Sequence, residues 1–217
     1  MRGRRDGAPL ACTSTGIGSP SAAIAAEELA EVGAETLVRV GSCGAIQHEA
    51  SIGDLVITTG AVRQEGTSDE YVRPDYPAGA DDEVVTALVT ACERLGHDYH
   101  LGVTCSTDSF YAGQARAGHG GFRAVGAEAR MDELREAGVL NYEMEAAALL
   151  TLASIYGLRA GAVCTVFANR ATGEFRTEGE GKAAEVASEA AVVLAEMDRV
   201  KESAGADHWH AGLSLEE

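Results

Sequence analysis

Apolar runs of strand length alternate with helix-length segments along this chain, and most of the runs end in a glycine turn. That alternation admits few folds, chiefly a buried sheet with helices packed on both faces. Residues 8–13 read as a short strand before the Gly16/Gly18 turn. A helix follows, with Ser19 as N-cap, Pro20 in its first turn and Gly33 as its stop. Residues 36–40 form a buried strand running into a Gly-Ser-Cys-Gly turn, and 54–60 with Val62 form another. Asp81 caps a helix that runs to Leu95 and stops at Gly96, and 101–105 return as strand. Residues 115–127 are glycine-rich loop, 129–137 helix, and 143–156 an alanine-rich helix stopped by Gly157. Strand 159–167 and a long helix 181–201 close the pattern. The chain has 217 residues, enough for one core. A single domain is expected over 1–203, and 204–217 lack periodicity and read as a flexible tail.

Charge narrows the partners. The formal net charge is −17, from 34 acidic and 17 basic residues, and the lysines are Lys182 and Lys201. Such a chain is a poor fit to nucleic acid or to an anionic membrane. An acid-rich, lysine-poor surface suits a salt-rich cytoplasm, because ~1 M salt shrinks the Debye length to ~3 Å. No apolar stretch approaches a membrane span, and the first residues lack the apolar run of a signal peptide, so a cytoplasmic location is expected. The five cysteines contain no Cys-x-x-Cys pair and read as buried or site-lining thiols. His48, His97, His100 and His119 have no ligand-like spacing, and neither a metal site nor a cofactor is expected.

Four separated segments carry the chemistry: STGIGSPS (14–21), RVGSCGA (39–45), FYAGQAR (110–116) and NYEMEAA (141–147). The first two are glycine turns whose N–H groups can close on an anion, and Arg39 adds a permanent charge. Gln114 and Arg116 set a planar amide and a guanidinium two residues apart, suited to the polar edge of a flat ring. Glu143 and Glu145 are acceptors for sugar hydroxyls. If 141–145 is extended both point to one face; if it is helical, ~200° separates them. Read singly, each segment has a plainer meaning: a tight turn, solvated loop groups, or carboxylates offsetting a helix dipole. Read together, they describe a pocket for a phosphate and a nucleoside.

The sixteen residues STGIGSPSAAIAAEEL (14–29) resemble the signature segment of the nucleoside phosphorylase family, which includes uridine phosphorylase and the hexameric purine nucleoside phosphorylases. The other three segments follow in the family's order, and the similarity covers residues 9–200. The resemblance implies a three-layer α/β/α sandwich with a distorted mixed sheet, and hexamers built from dimers. It also implies reversible phosphorolysis, with inorganic phosphate as co-substrate.

Carried over position by position, the resemblance puts phosphate on Gly16, Arg39 and Ser42, and ribose on Ser42, Met144 and Glu145. The base lies against Cys43, Gly44, Phe110, Gln114, Arg116 and Phe167, and Arg39, Glu145 and Arg116 are the catalytic set. The Gln-x-Arg pair matches uridine phosphorylases. Purine enzymes place an aspartate after the late strand, where this chain has TVFANR (165–170) and no acid. Uridine phosphorolysis is therefore the activity expected; the alternatives are a purine phosphorylase and a non-catalytic nucleoside-binding subunit. The last is raised because relatives usually begin with several tens of further residues, including a Gly-Asp-Pro phosphate loop; a start placed too far downstream is the expected reason. Helix 20–32 and the stretch 53–72 are the expected contact surfaces between subunits.

Overall fold

The computed structural model describes residues 2–213. In chain order the elements are β1 (Arg2–Arg5), β2 (Ala8–Ala11), α1 (Ser19–Glu31), β3 (Thr36–Ala45), β4 (Leu55–Gln64), β5 (Ala78–Gly79), α2 (Asp82–Leu95), β6 (Tyr99–Thr107), α3 (Ala127–Glu136), β7 (Asn141–Glu143), α4 (Ala146–Tyr156), β8 (Arg159–Asn169), β9 (Glu174–Phe175) and α5 (Glu180–Ala204). Seven strands form one mixed sheet in the order β5-β4-β6-β7-β3-β8-β9. β3 and β8 run parallel, as do β4 and β6, while β7 runs antiparallel to β3. The first residues of β4 also pair antiparallel with β8, through Leu55–Thr165 to Thr58–Ala162. The sheet therefore curls back on itself, the expected sandwich with a distorted sheet.

Helices cover both faces. On one face α2 and α5 pack Val84, Leu88, Val186, Val193 and Met197 against Leu55, Ile57 and Val163. On the other, α1 and α4 pack Ala23, Ala26, Leu150 and Leu152 against Leu37 and Ala160. The buried apolar positions of α2 fall at 84, 87, 88, 91 and 92, a single helical stripe. Its ends behave as the sequence dictates. The Asp81 carboxylate accepts from the Val84 N–H at 3.0 Å, and Gly96 closes the helix in the left-handed region.

Three expectations change. Ser19 is not a cap: α1 begins at Ser19 itself, Gly18 holds the cap position at φ 97°, and Ser19 Oγ is buried, donating to the Met144 carbonyl at 2.8 Å. Glu143 is not helical but ends strand β7, and α4 starts at Ala146. The strand expected at 8–13 is the second half of a hairpin with β1, outside the main sheet. Asp6 and Gly7, both at positive φ, make the tight turn such a hairpin requires, and Arg5 ties it to Glu189 of α5 at 2.8 Å.

The segment expected to fray is partly docked. Trp209 packs against the α2–α5 core, and its N–H donates to Glu83 at 2.9 Å. Glu83 is in turn held by Arg159 and Lys201. Residues 214–217 lie outside the described residues. Cys43, Cys92, Cys105 and Cys164 are buried thiols, and Cys12 is exposed.

Candidate active site

The end of β3 organises the site. Arg39 lies one turn of the pleat before Gly41 and folds back over it; a Cβ on Gly41 would sit 2.6 Å from Arg39 Nη1. The Gly-Ser-Cys-Gly segment expected to turn is instead the continuation of β3, held by pairing with β8, and a side chain on Gly41 would displace the Arg39 guanidinium. Arg39 Nε lies 3.1 Å from Glu145 Oε2 and 3.0 Å from Glu143 Oε2, and Nη2 binds Glu145 Oε2. Burial works against the Arg39 charge, but the Cys164 sulfur and the two carboxylates overcome it and hold the guanidinium protonated.

Both carboxylates reach Arg39, but by different routes. Glu143, at the end of β7, accepts the N–H groups of Glu145 and Ala146 at 2.8 Å each and a hydrogen bond from Ser106 Oγ. It therefore satisfies the otherwise orphaned first turn of α4 as well as the arginine. Glu145 Oε1 accepts the Gly18 N–H at 2.6 Å. The glycine turn does close on an anion, and in this structure that anion is the Glu145 carboxylate. Gly16 stands at φ +73°, a conformation that L side chains rarely adopt, so the turn needs glycine there. Met144 is half-buried between the two glutamates.

Ser42 points to the face of β3 opposite Arg39 and is exposed. Gly44 shares that face: a Cβ there would come within 3.3 Å of Arg116 Nη2. This close approach joins the end of β3 to the 110–116 loop. Gln114 is buried at 3% exposure, and its side chain meets Thr107 Oγ1 only at 3.5 Å, so most of its amide capacity is unspent. Arg116 lies over the Phe110 ring at 4.3 Å, and its buried Nε has no hydrogen-bond partner. Burial, then the neighbouring Arg170 charge, pushes the Arg116 guanidinium below its usual range. Phe110 is itself 46% exposed, stacked edge-on against Tyr111. Cys43 packs inward with Ala45, Val56 and Cys164 rather than lining the opening. Phe167 sits half-buried where β8 slips register against β3.

Arg170 is a residue that motif reading passes over. It donates from Nη1 to the Gln114 carbonyl at 2.6 Å and from Nη2 to the Ala115 carbonyl at 3.3 Å. Its own N–H is fixed on the Ala45 carbonyl at 2.7 Å. Ala115 stands at φ 53°, unusual for a residue with a side chain, and this clamp holds it there. The signal in sequence was an arginine directly after a long apolar strand. Asn169, beside it, is fully engaged: its amide donates to the Gln47 and Ala50 carbonyls and accepts from the N–H groups of Ala171 and Thr172. Its role is to tie loops together.

The described residues thus present two ends. One is a cationic–anionic cluster of Arg39, Glu143 and Glu145 on the Gly16–Gly18 turn. The other is an under-partnered amide and guanidinium, Gln114 and Arg116, against an aromatic ring. Gly44 lies against the second of these, with Arg116 and Arg170 as its neighbours.

The chain matches the phosphorylase superfamily over residues 1–199. It is 59% identical to a uridine phosphorylase of Thermococcus kodakarensis over 211 residues, 97% of this chain and 76% of that protein. It is 46% identical to the uridine phosphorylase of Escherichia coli over 78% of this chain and 67% of the relative. A guanosine phosphorylase of Halorubrum lacusprofundi is 44% identical over 77% of this chain and 64% of its own length.

Proposed function

Because this chain belongs to the phosphorylase superfamily, we propose that it is a pentosyltransferase of the uridine phosphorylase type. Uridine and inorganic phosphate give uracil and ribose 1-phosphate, with no cofactor. The observation that carries this reading is the base end. A buried amide with unspent donors and acceptors and a guanidinium whose Nε lacks a partner stand two residues apart in one loop. Uracil offers two carbonyls and a ring N–H on one edge, which an amide and a guanidinium can satisfy together.

In the reaction, a phosphate oxygen attacks C1′ as the bond from C1′ to the ring nitrogen breaks, and the electron pair leaves on the uracil. Arg39, with the Gly16 turn, positions the phosphate, while Ser42, expected beside it, faces the other side of β3. Glu145 holds the ribose hydroxyls through the acceptor sites left after Gly18 and Arg39 are served, and Met144 packs on the sugar. Arg116 neutralises charge growing on the departing base, while Gln114 fixes its orientation. Gly44 and Phe110 form the floor and wall, with Phe167 behind them; Cys43, expected there, packs inward instead.

One relative supports a second reading. A guanosine phosphorylase shares 44% identity with this chain, so purine turnover is the competitor. Assays with uridine and guanosine side by side, at equal phosphate, separate the two. Uridine is expected to be cleaved with at least tenfold higher kcat/KM; faster guanosine cleavage would move the chain to the purine reading.

The enzyme is further proposed to assemble with copies of itself. Ile17, Ile24 and Val32 are exposed on and beside α1, beside the glycine turn. A charge of −17 per subunit opposes association at low salt. Oligomer mass measured by light scattering is expected to rise with salt, and activity with it; a fully active monomer would contradict this.

A further inference from the structure

Cys164 has no part in the reaction as described, yet its sulfur lies 2.7 Å from Arg39 Nη1. The two meet because of strand register. Gly41 is the partner of Cys164 across the parallel β3–β8 pair, and Arg39 folds over Gly41 onto that neighbour. Cys43, two residues further along β3, packs in the same buried cluster as Cys164. Both thiols are nearly sealed, at 1% exposure for Cys164 and 7% for Cys43.

The donors of Arg39 can be counted. A guanidinium has five N–H groups. Nε and one N–H of Nη2 go to carboxylates, and one N–H of Nη1 goes to Cys164. One N–H remains on each terminal nitrogen, the pair a phosphate accepts from a guanidinium fork. The carboxylates fix only the Nε/Nη2 edge. Cys164 fixes the other end.

We propose that Cys164, supported by Cys43, is a positioning residue for phosphate: it pins Nη1 of Arg39 and thereby aims the two free N–H groups. This rests on the reading of Arg39 as the phosphate-binding arginine. Electrostatics agree with the geometry. The neighbouring Cys43 thiol and the Arg39 charge pull the Cys164 thiol below its ordinary range, against burial and the charges of Glu143 and Glu145. Cys43 moves the opposite way, pushed up by its contact with Cys164 and by burial.

The test compares the native protein with Cys164→Ala and Cys164→Ser, varying phosphate at saturating uridine and uridine at saturating phosphate. Cys164→Ala is expected to raise KM for phosphate about tenfold while KM for uridine stays within twofold. Cys164→Ser, which keeps an acceptor, is expected to recover most of the loss. An unchanged phosphate KM, or an equal rise in both KM values, overturns the proposal. If the native protein turns over no nucleoside, the reaction assignment fails on its own, and calorimetry with inorganic phosphate decides the proposal instead. Weaker binding by Cys164→Ala supports it. Equal binding, or no binding by the native protein, overturns it.

Discussion

Arg39→Ala is expected to lower kcat/KM for phosphorolysis by about 10²–10³-fold, the scale on which removal of one preorganised charge stabiliser acts. It is also expected to destabilise the fold by about 3–5 kcal/mol, because Glu143 and Glu145 would be left facing each other without their cation. Glu143 is the more exposed to this loss in energetic terms, since its carboxylate is fully buried. For a chain of this size the melting temperature should fall by roughly 10 °C. Arg39→Lys separates the two effects. A lysine restores the charge but not the planar fork that binds Glu145 along one edge and an oxyanion along another. It should recover much of the stability and little of the phosphate affinity. Thermal melts and phosphate KM on the same preparations check this, and full activity in Arg39→Lys would contradict it.

The second large effect is expected at the base end. Gln114→Ala and Arg116→Ala should each cut kcat/KM for uridine by about 10²–10³-fold, since the polar edge of uracil would be left unpaired in a desolvated site. Their causes differ, and so should their behaviour with 5-fluorouridine, whose base is a more acidic leaving group. Arg116 stabilises negative charge on the departing ring, so the loss in Arg116→Ala should shrink with that substrate. Gln114 orients the ring, so the loss in Gln114→Ala should not. Equal losses for both substrates in Arg116→Ala would remove its assigned part in leaving-group departure. The two residues share one ligand, so the double variant should fall short of the product of the single losses.

Much of this site was legible before any coordinates, because it rests on local chemistry. The Gly16–Gly18 turn before α1 and the Gln-x-Arg pair each have a reason visible within a few residues, whereas Arg39, read at a strand end before a glycine turn, lies inside β3, which pairing with β8 extends to Ala45. The caps of α2 were equally local: Asp81 and Gly96 do what their side chains favour. Ser19 shows the limit. Its type suits an N-cap, but a tertiary partner, the Met144 carbonyl 125 residues on, takes its hydroxyl. Glu143 was open between strand and helix because the choice is made by β7 pairing with β3 and β6, not by its neighbours in sequence. The β4–β8 pairing that curls the sheet is likewise a long-range event with no short-range trace. Arg170 and Cys164 were missed for the same reason. Arg170 acts on carbonyls more than fifty residues away, and Cys164 meets Arg39 only through strand register.

Whether phosphate is the nucleophile bears most directly on the whole account. Uridine is incubated with the full chain in high salt, with and without inorganic phosphate, and both uracil and ribose 1-phosphate are quantified. Uracil release is expected only with phosphate, with one ribose 1-phosphate formed per uracil, and with the reverse reaction running from those two products. Uracil released equally without phosphate, accompanied by free ribose, would make water the nucleophile and leave Arg39 without the role assigned to it.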